Sequence, residues 1–144
     1  MKASDVRENE PPRIPRHQEV SAGLDGIARI IVDSGLAVHK ELGPGLLESA
    51  YECCLRYELE LRGLQVRCQV PLPINYKGVQ VDAGYRLDML VEDLIIVEIK
   101  AINNLTPIHA AQLLTYLKLS GRRLGFLMNF NVALFKQGLR RLVI

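Results

Sequence analysis

Tyr85-Arg86-Leu87-Asp88-Met89-Leu90-Val91-Glu92-Asp93-Leu94-Ile95-Ile96-Val97-Glu98-Ile99-Lys100 is the stretch on which the fold depends. It reads as two strands, Tyr85–Val91 and Leu94–Lys100, turned back on each other at Glu92-Asp93. The second strand is β-branched and apolar until its last residues. Glu98 and Lys100 stand two apart there, hence on one face of the sheet. Asp88 interrupts the first strand between Leu87 and Met89. Charges in such strands are costly unless they meet partners or a metal.

Register decides whether the two acids meet. A two-residue loop at Glu92-Asp93 pairs Asp88 with Val97 and sends Glu98 to the opposite face. A three-residue loop pairs Asp88 with Glu98, side chains roughly 5 Å apart. Only the odd-length loop makes a site, so the functional reading expects Asp88 and Glu98 to share a face. Two carboxylates that close repel, and a divalent cation with hard oxygen preference relieves them. Lys100 adds a cation able to stabilise developing charge on a phosphoryl group or to orient an attacking water. The competing reading is a buried Asp/Glu–Lys ion-pair network without catalysis.

On the N-terminal side, residues 1–20 are charged, carry Pro11, Pro12 and Pro15, and read as a flexible tail before one domain over 21–144. Leu24, Ile27, Ala28, Ile31, Val32 and Leu36 recur at helical spacing to about Leu42. Gly43-Pro44-Gly45 stops that helix. A second helix is expected from Leu46 to Arg62, with the stripe Leu47, Tyr51, Cys54, Leu55 and Gly63 at its end. Glu48 lies on its flank. Gln65 to Tyr76 alternates loosely before a turn at Lys77-Gly78.

On the C-terminal side, Thr106-Pro107 opens a helix that ends at Gly121. Ala110, Leu113, Leu114 and Leu117 form its core stripe, and His109, Gln112 and Tyr116 a polar one beside it. Gln112 so placed can hydrogen-bond a water, a phosphate or a carboxylate. Tyr116 reads equally as a core aromatic, and His109 as a first-turn residue. Leu124–Phe130 is a further strand and Leu139–Ile144 a weaker last one. The order α, α, β-rich, α, β describes an α/β domain around a mixed sheet.

The chain has 144 residues, 49% hydrophobic and 24% charged, enough to bury a single core and too apolar for whole-chain disorder. Its N-terminus has no apolar segment of signal-peptide type, and no apolar run approaches membrane-spanning length, so a soluble, cytoplasmic protein without membrane contact is expected. Cys53, Cys54 and Cys68 form no CxxC pair and read as packing residues. The net charge of +2 hides an asymmetry. Residues 1–99 hold eleven basic and sixteen acidic side chains, whereas Lys100 to Ile144 hold seven basic and no acidic ones. A one-signed segment suggests a positive face for an anionic partner. The alternative is that these basics pair with first-half carboxylates across the fold.

Several separated motifs together resemble a known family. Gly45-Leu46-Leu47-Glu48-Ser49-Ala50-Tyr51 is similar to the signature of the GxxExxY protein family. The likeness continues through Arg86-Leu87-Asp88, Glu98-Ile99-Lys100, His109–Leu117 and Asn129-Phe130, covering about residues 24–144. That family is grouped with the PD-(D/E)XK nuclease superfamily, and Gln112 with Tyr116 resembles the QxxxY element of its RecB-like branch. Leu87 stands where the superfamily name has proline.

The resemblance implies a restriction-endonuclease-like αβββαβ core with a mixed central sheet flanked by helices. It further implies a divalent-metal site for Mg²⁺ or Mn²⁺, with Asp88, Glu98 and the Ile99 carbonyl as ligands. Lys100 would act on the nucleophilic water, Glu48 would supply an extra carboxylate, and Gln112 would hold water or phosphate, with Tyr116, Arg86 and His109 in support. The expected function is a metal-dependent nuclease acting on DNA or RNA. The alternative is a catalytically silent module of the same fold serving nucleic-acid or protein binding. A chain this short, nearly all core, is also compatible with a homo-oligomer or a protein partner.

Overall fold

The computed structural model describes residues 16–144, with side chains from Gly23 onward. Its elements run α1 (Arg16–Leu42), α2 (Glu48–Leu61), β1 (Val66–Pro71), β2 (Ile74–Tyr76), β3 (Val79–Val81), β4 (Arg86–Val91), β5 (Ile95–Lys100), α3 (Pro107–Ser120), β6 (Leu124–Asn129), α4 (Phe135–Gly138) and β7 (Leu139–Val143). Five strands form one mixed sheet in the order β1-β4-β5-β6-β7. Only β5 and β6 are parallel, and α3 is the crossover that parallel neighbours require. The restriction-endonuclease-like architecture expected from the sequence is present.

Alternation in the strands sorts the core into two halves. Ile95, Val97 and Ile99 of β5, with Phe126 and Met128 of β6, pack toward Ala28, Ile31, Val38, Tyr51, Leu55 and Leu59 of α1 and α2. Ile96 of β5 and Leu127 of β6 face Leu113, Tyr116 and Leu117 of α3. Strand β5 is therefore buried on both faces, which is why its sequence is a continuous apolar run.

Several boundaries differ from the sequence reading. α1 begins at Arg16, eight residues ahead of the apolar stripe and inside the stretch read as a tail. No proline or glycine lies between residues 16 and 22, so nothing stops the helix from extending there. The remainder of that tail, residues 1–15, lies outside the described residues. The loosely alternating run to Tyr76 is two strands rather than one. Pro71 and Pro73 cannot donate to a ladder, so β1 ends and β2 pairs with β3 in a separate ribbon about Lys77-Gly78. The short α4 was not expected.

The basic C-terminal segment resolves partly in favour of pairing across the fold. Arg122 meets Asp93 at 2.7 Å and Arg141 meets Asp25 at 3.4 Å. Among the described residues, Lys118, Arg123, Lys136 and Arg140 form no ion pair. No described helix is long and apolar enough to cross a membrane.

Candidate active site

The loop between β4 and β5 has three residues. Val91 faces Ile95, Leu90 faces Ile96 and Met89 faces Val97, leaving Glu92, Asp93 and Leu94 outside the ladder. Glu92 and Asp93 are both left-handed (φ 53° and 57°), and the Leu94 N–H returns to the Val91 carbonyl at 3.0 Å. Those are the marks of a primed turn, with Leu94 as the added unpaired residue. Asp93 is tied down by Arg67 at 3.0 Å and Arg122 at 2.7 Å.

One step beyond the last ladder pair, Asp88 stands opposite Glu98, and there the backbones stop bonding to each other. Their carboxylates take over. The Asp88 N–H donates to Glu98 Oε1 at 3.2 Å, and the Ile99 N–H donates to Asp88 Oδ2 at 2.9 Å. The in-out alternation of β4 slips at this point, since Leu87 and Leu90 both join the α3-side core while Met89 and Val91 join the other. The three-residue register is thus the one the chain adopts, and the two acids converge.

Glu98 is only 5% exposed, and Asp88 and Lys100 are half-buried. Burial, then the charge of Asp88 and a side-chain hydrogen bond to it, push the Glu98 carboxyl up to about 9, with Lys100 pulling against them. Glu48, the first residue of α2, joins the same field. Burial and the charge of Asp88 raise its carboxyl, and Lys100 lowers it. Tyr116 reaches the pair from α3. Its phenol is pushed up by burial and by the charges of Glu98 and Asp88, together with Tyr85, while a side-chain hydrogen bond from Gln112 pulls it back. Residues from α2, β4, β5 and α3 therefore share one electrostatic field, where β4 and β5 part.

Two placements depend on residues that sequence reasoning treated only as packing or as part of a motif. Tyr51 is fully buried and stacks on Phe130 (centroids 4.7 Å apart, planes 9° apart). Its hydroxyl donates to the Gly43 carbonyl at 2.6 Å and accepts the Leu46 N–H at 3.1 Å. That bracing holds the turn before α2 and starts the helix at Glu48 rather than Leu46. Phe130 in turn donates its N–H to the Lys100 carbonyl at 2.9 Å. Asn129, opposite Lys100 in the register, bonds both the N–H and the carbonyl of Ile102, at 3.1 and 2.9 Å. The i to i+3 spacing from Glu48 to Tyr51 was the available signal, but a tyrosine on a core stripe gives no hint of a buried hydroxyl with two backbone partners.

Two of the expected supporting residues lie elsewhere. His109 Nδ1 accepts the Thr106 N–H at 2.9 Å and caps α3, the first-turn alternative. Arg86 is exposed, and its Nη1 donates to the Gln69 carbonyl at 3.3 Å. The exposed Gln112 is beside Tyr116 rather than between the acids.

The donor set suits a hard divalent cation. Because the Lys100 carbonyl points to β6, strand alternation turns both the N–H and the carbonyl of Ile99 toward β4. Asp88 takes that N–H, and no ladder pair with β4 extends this far to engage the carbonyl. Two carboxylates and a strand carbonyl are all hard oxygens, and magnesium commonly keeps water in its remaining positions. No group of three His, Cys, Asp or Glu side chains placed to hold an ion occurs among the described residues. Any ion here would thus rely on backbone oxygen and water beyond the acidic pair. Among the described residues, neither acid forms an ion pair with Lys100. A plain salt link therefore does not account for the cluster.

A family model for the PD-(D/E)XK nuclease superfamily matches residues 25–142, and the chain belongs to that superfamily. Neither the curated proteins nor the solved structures include a match to it.

Proposed function

Taking superfamily membership as the premise, we propose that this protein hydrolyses phosphodiester bonds of DNA or RNA with a divalent cation, Mg²⁺ or Mn²⁺, held by Asp88, Glu98 and the Ile99 carbonyl. The observation that supports this most is the reciprocal hold of the two acids across the opened strands. A proton-holding Glu98 beside Asp88 is the expected resting state of a carboxylate pair built to exchange a proton for a cation. When bound, the cation would polarise the scissile phosphate and lower the pKa of its water.

The protein's own groups divide the remaining work. Glu98 would hold the cation as a carboxylate, its proton released to solvent. Lys100, whose backbone is fixed by Phe130, directs its ammonium toward the attacking water and the charge growing on phosphoryl oxygen. Glu48 supplies a third carboxylate in the field of Asp88 and Lys100. Gln112, with two amide donors, holds water or a phosphate oxygen next to Tyr116.

The test compares Asp88→Asn and Lys100→Ala with the wild type on labelled oligonucleotides and by calorimetry with Mn²⁺. Expected results are a 10²-fold or greater loss of cleavage in both. The Mn²⁺ heat should vanish in Asp88→Asn and survive in Lys100→Ala. Wild-type protein that binds oligonucleotides yet shows neither cleavage nor Mn²⁺ heat would replace this reading with the silent binding module.

A further inference from the structure

Beside the acidic cluster, on the α3 side of the sheet, lies an open groove of about 260 Å³. Ile74 of β2, Tyr85 just before β4, and Ile108, Gln112, Thr115 and Tyr116 of α3 line it. Its walls are mainly apolar, with two aromatic rings and two side chains that can address a polar edge. Tyr85 keeps 44% of its surface open although its backbone is pinned, its carbonyl accepting the Leu72 N–H at 2.8 Å. The Tyr85 and Tyr116 rings sit 6.2 Å apart and tilted by 60°, so they form a corner rather than a closed stack. Ile108 is 70% exposed on the rim.

The groove is continuous with the candidate active site. Tyr116 belongs to both, its ring in the groove wall and its phenol in the field of Glu98 and Asp88. Gln112 likewise lines the groove and bonds Tyr116. Whatever occupies the groove lies next to the group being acted on at the acids. A nucleotide chain carries, beside each phosphate, a flat aromatic ring with polar edges. Tyrosine rings stack on any base, and a side-chain amide can meet base edges.

We propose that this groove is a base-stacking subsite for one unstacked nucleotide flanking the scissile phosphate, and hence that the substrate is single-stranded or frayed nucleic acid. A base inside a continuous duplex is covered on both faces by its neighbours and cannot enter a corner lined by Tyr85. This inference rests on the phosphodiester chemistry proposed above. Its selectivity follows from shape rather than from charge, since the groove itself carries no basic side chain.

The test reads binding separately from cleavage. Short single strands of DNA and of RNA, each carrying 2-aminopurine, and the matching duplexes are titrated into wild-type protein, Tyr85→Ala, Tyr85→Phe and Ile108→Ala, with Ca²⁺ present. Expected are quenching of 2-aminopurine by the wild type and roughly tenfold weaker single-strand binding in Tyr85→Ala. Recovery in Tyr85→Phe, a smaller loss in Ile108→Ala, and weak, Tyr85-independent duplex binding complete the pattern. Equal single-strand affinity in wild type and Tyr85→Ala would overturn the subsite, even if Mn²⁺-dependent cleavage is intact. Quenching and Tyr85 dependence without cleavage would uphold the subsite and remove the hydrolytic reading instead.

Discussion

Glu98 Oε1 accepts the N–H of Asp88 at 3.2 Å while Asp88 Oδ2 accepts that of Ile99 at 2.9 Å, so each carboxylate is held by the other's strand. The arrangement does two things together. It fixes both acids without spending a lysine or arginine on them, and it places side by side, in a nearly dry place, two acids that resist ionising together. The first is what a cation site needs, and the second makes the empty site costly.

That cost gives a pH signature. Glu98 holds its proton to about pH 9 in the folded chain, against about 4.5 when unfolded. A raised carboxyl pKa means the folded state binds the extra proton. Its stabilising contribution is full below about pH 4.5 and is lost as pH rises toward 9. Metal-free protein should therefore lose stability from pH 5 to pH 9, and Glu98→Gln should be the more stable at pH 8, by about 1 kcal/mol or more. Urea unfolding in EDTA at several pH values checks this. Mn²⁺ should stabilise the wild type at pH 8 and leave Glu98→Gln unmoved. A wild type whose stability is flat across that range would contradict the burial of an uncompensated acid.

The loop between β4 and β5 gives a second test. Deleting Leu94 shortens the turn to Glu92-Asp93 and leaves Val91 opposite Ile95, so Asp88 stays opposite Glu98. The deletion should therefore keep the Mn²⁺ heat by calorimetry, and Leu94→Ala, which keeps the count, should bind as the wild type does. Because Leu94 is 40% exposed, neither change opens a core cavity. Mn²⁺ binding lost in a folded deletion variant but kept in Leu94→Ala would show that the third loop residue itself holds the two acids together.

Tyr51 is a positioning residue, and its hydroxyl can be separated from its ring. Tyr51→Phe retains the stack on Phe130 but strands the Leu46 N–H and the Gly43 carbonyl. A loss of about 1–2 kcal/mol in stability is expected. Cleavage should fall through kcat with KM little changed, since the hydroxyl holds the turn that leads into Glu48. Tyr51→Ala should cost about 3–5 kcal/mol. A Tyr51→Phe enzyme with full kcat would place Glu48 outside the chemistry.

Gly138 and Gly125 make a contrasting pair. A Cβ on Gly138 would overlap the Asn129 carbonyl oxygen, which is backbone and cannot swing away. On Gly125 it would meet Leu113 Cδ1 at 3.0 Å, the end of a side chain that can shift. Gly138→Ala should destabilise by about 3 kcal/mol or more, and Gly125→Ala by about 1–2 kcal/mol. Thermal melts of both variants decide the point. Because Asn129 faces Lys100 across the parallel pair, any Gly138→Ala protein that folds should also cleave poorly.

Much of this architecture is local and so was legible before any coordinates. The spacing of Leu24 to Leu36, the Thr106-Pro107 start and the Gly121 stop, and the apolar run of β5 each encode their element within a few residues. The odd placement of Asp88, Glu98 and Lys100 marked the hairpin as the place to look. What could not be read locally was which partner each side chain would find. His109 and Arg86 are polar residues near the motif in sequence, yet one caps a helix and the other holds the Gln69 carbonyl.

By itself the sequence determined the main helices and strands, carried the superfamily resemblance in its motifs and singled out the acidic pair, because periodicity, turn chemistry and motif residues are all local to the chain. Only the tertiary structure decided that the acids meet, since a single loop residue reverses every side chain of a strand. It likewise decided that Glu48 arrives beside them. That placement hangs on a ring stack and two hydrogen bonds of Tyr51, contacts between distant segments on which sequence spacing is silent.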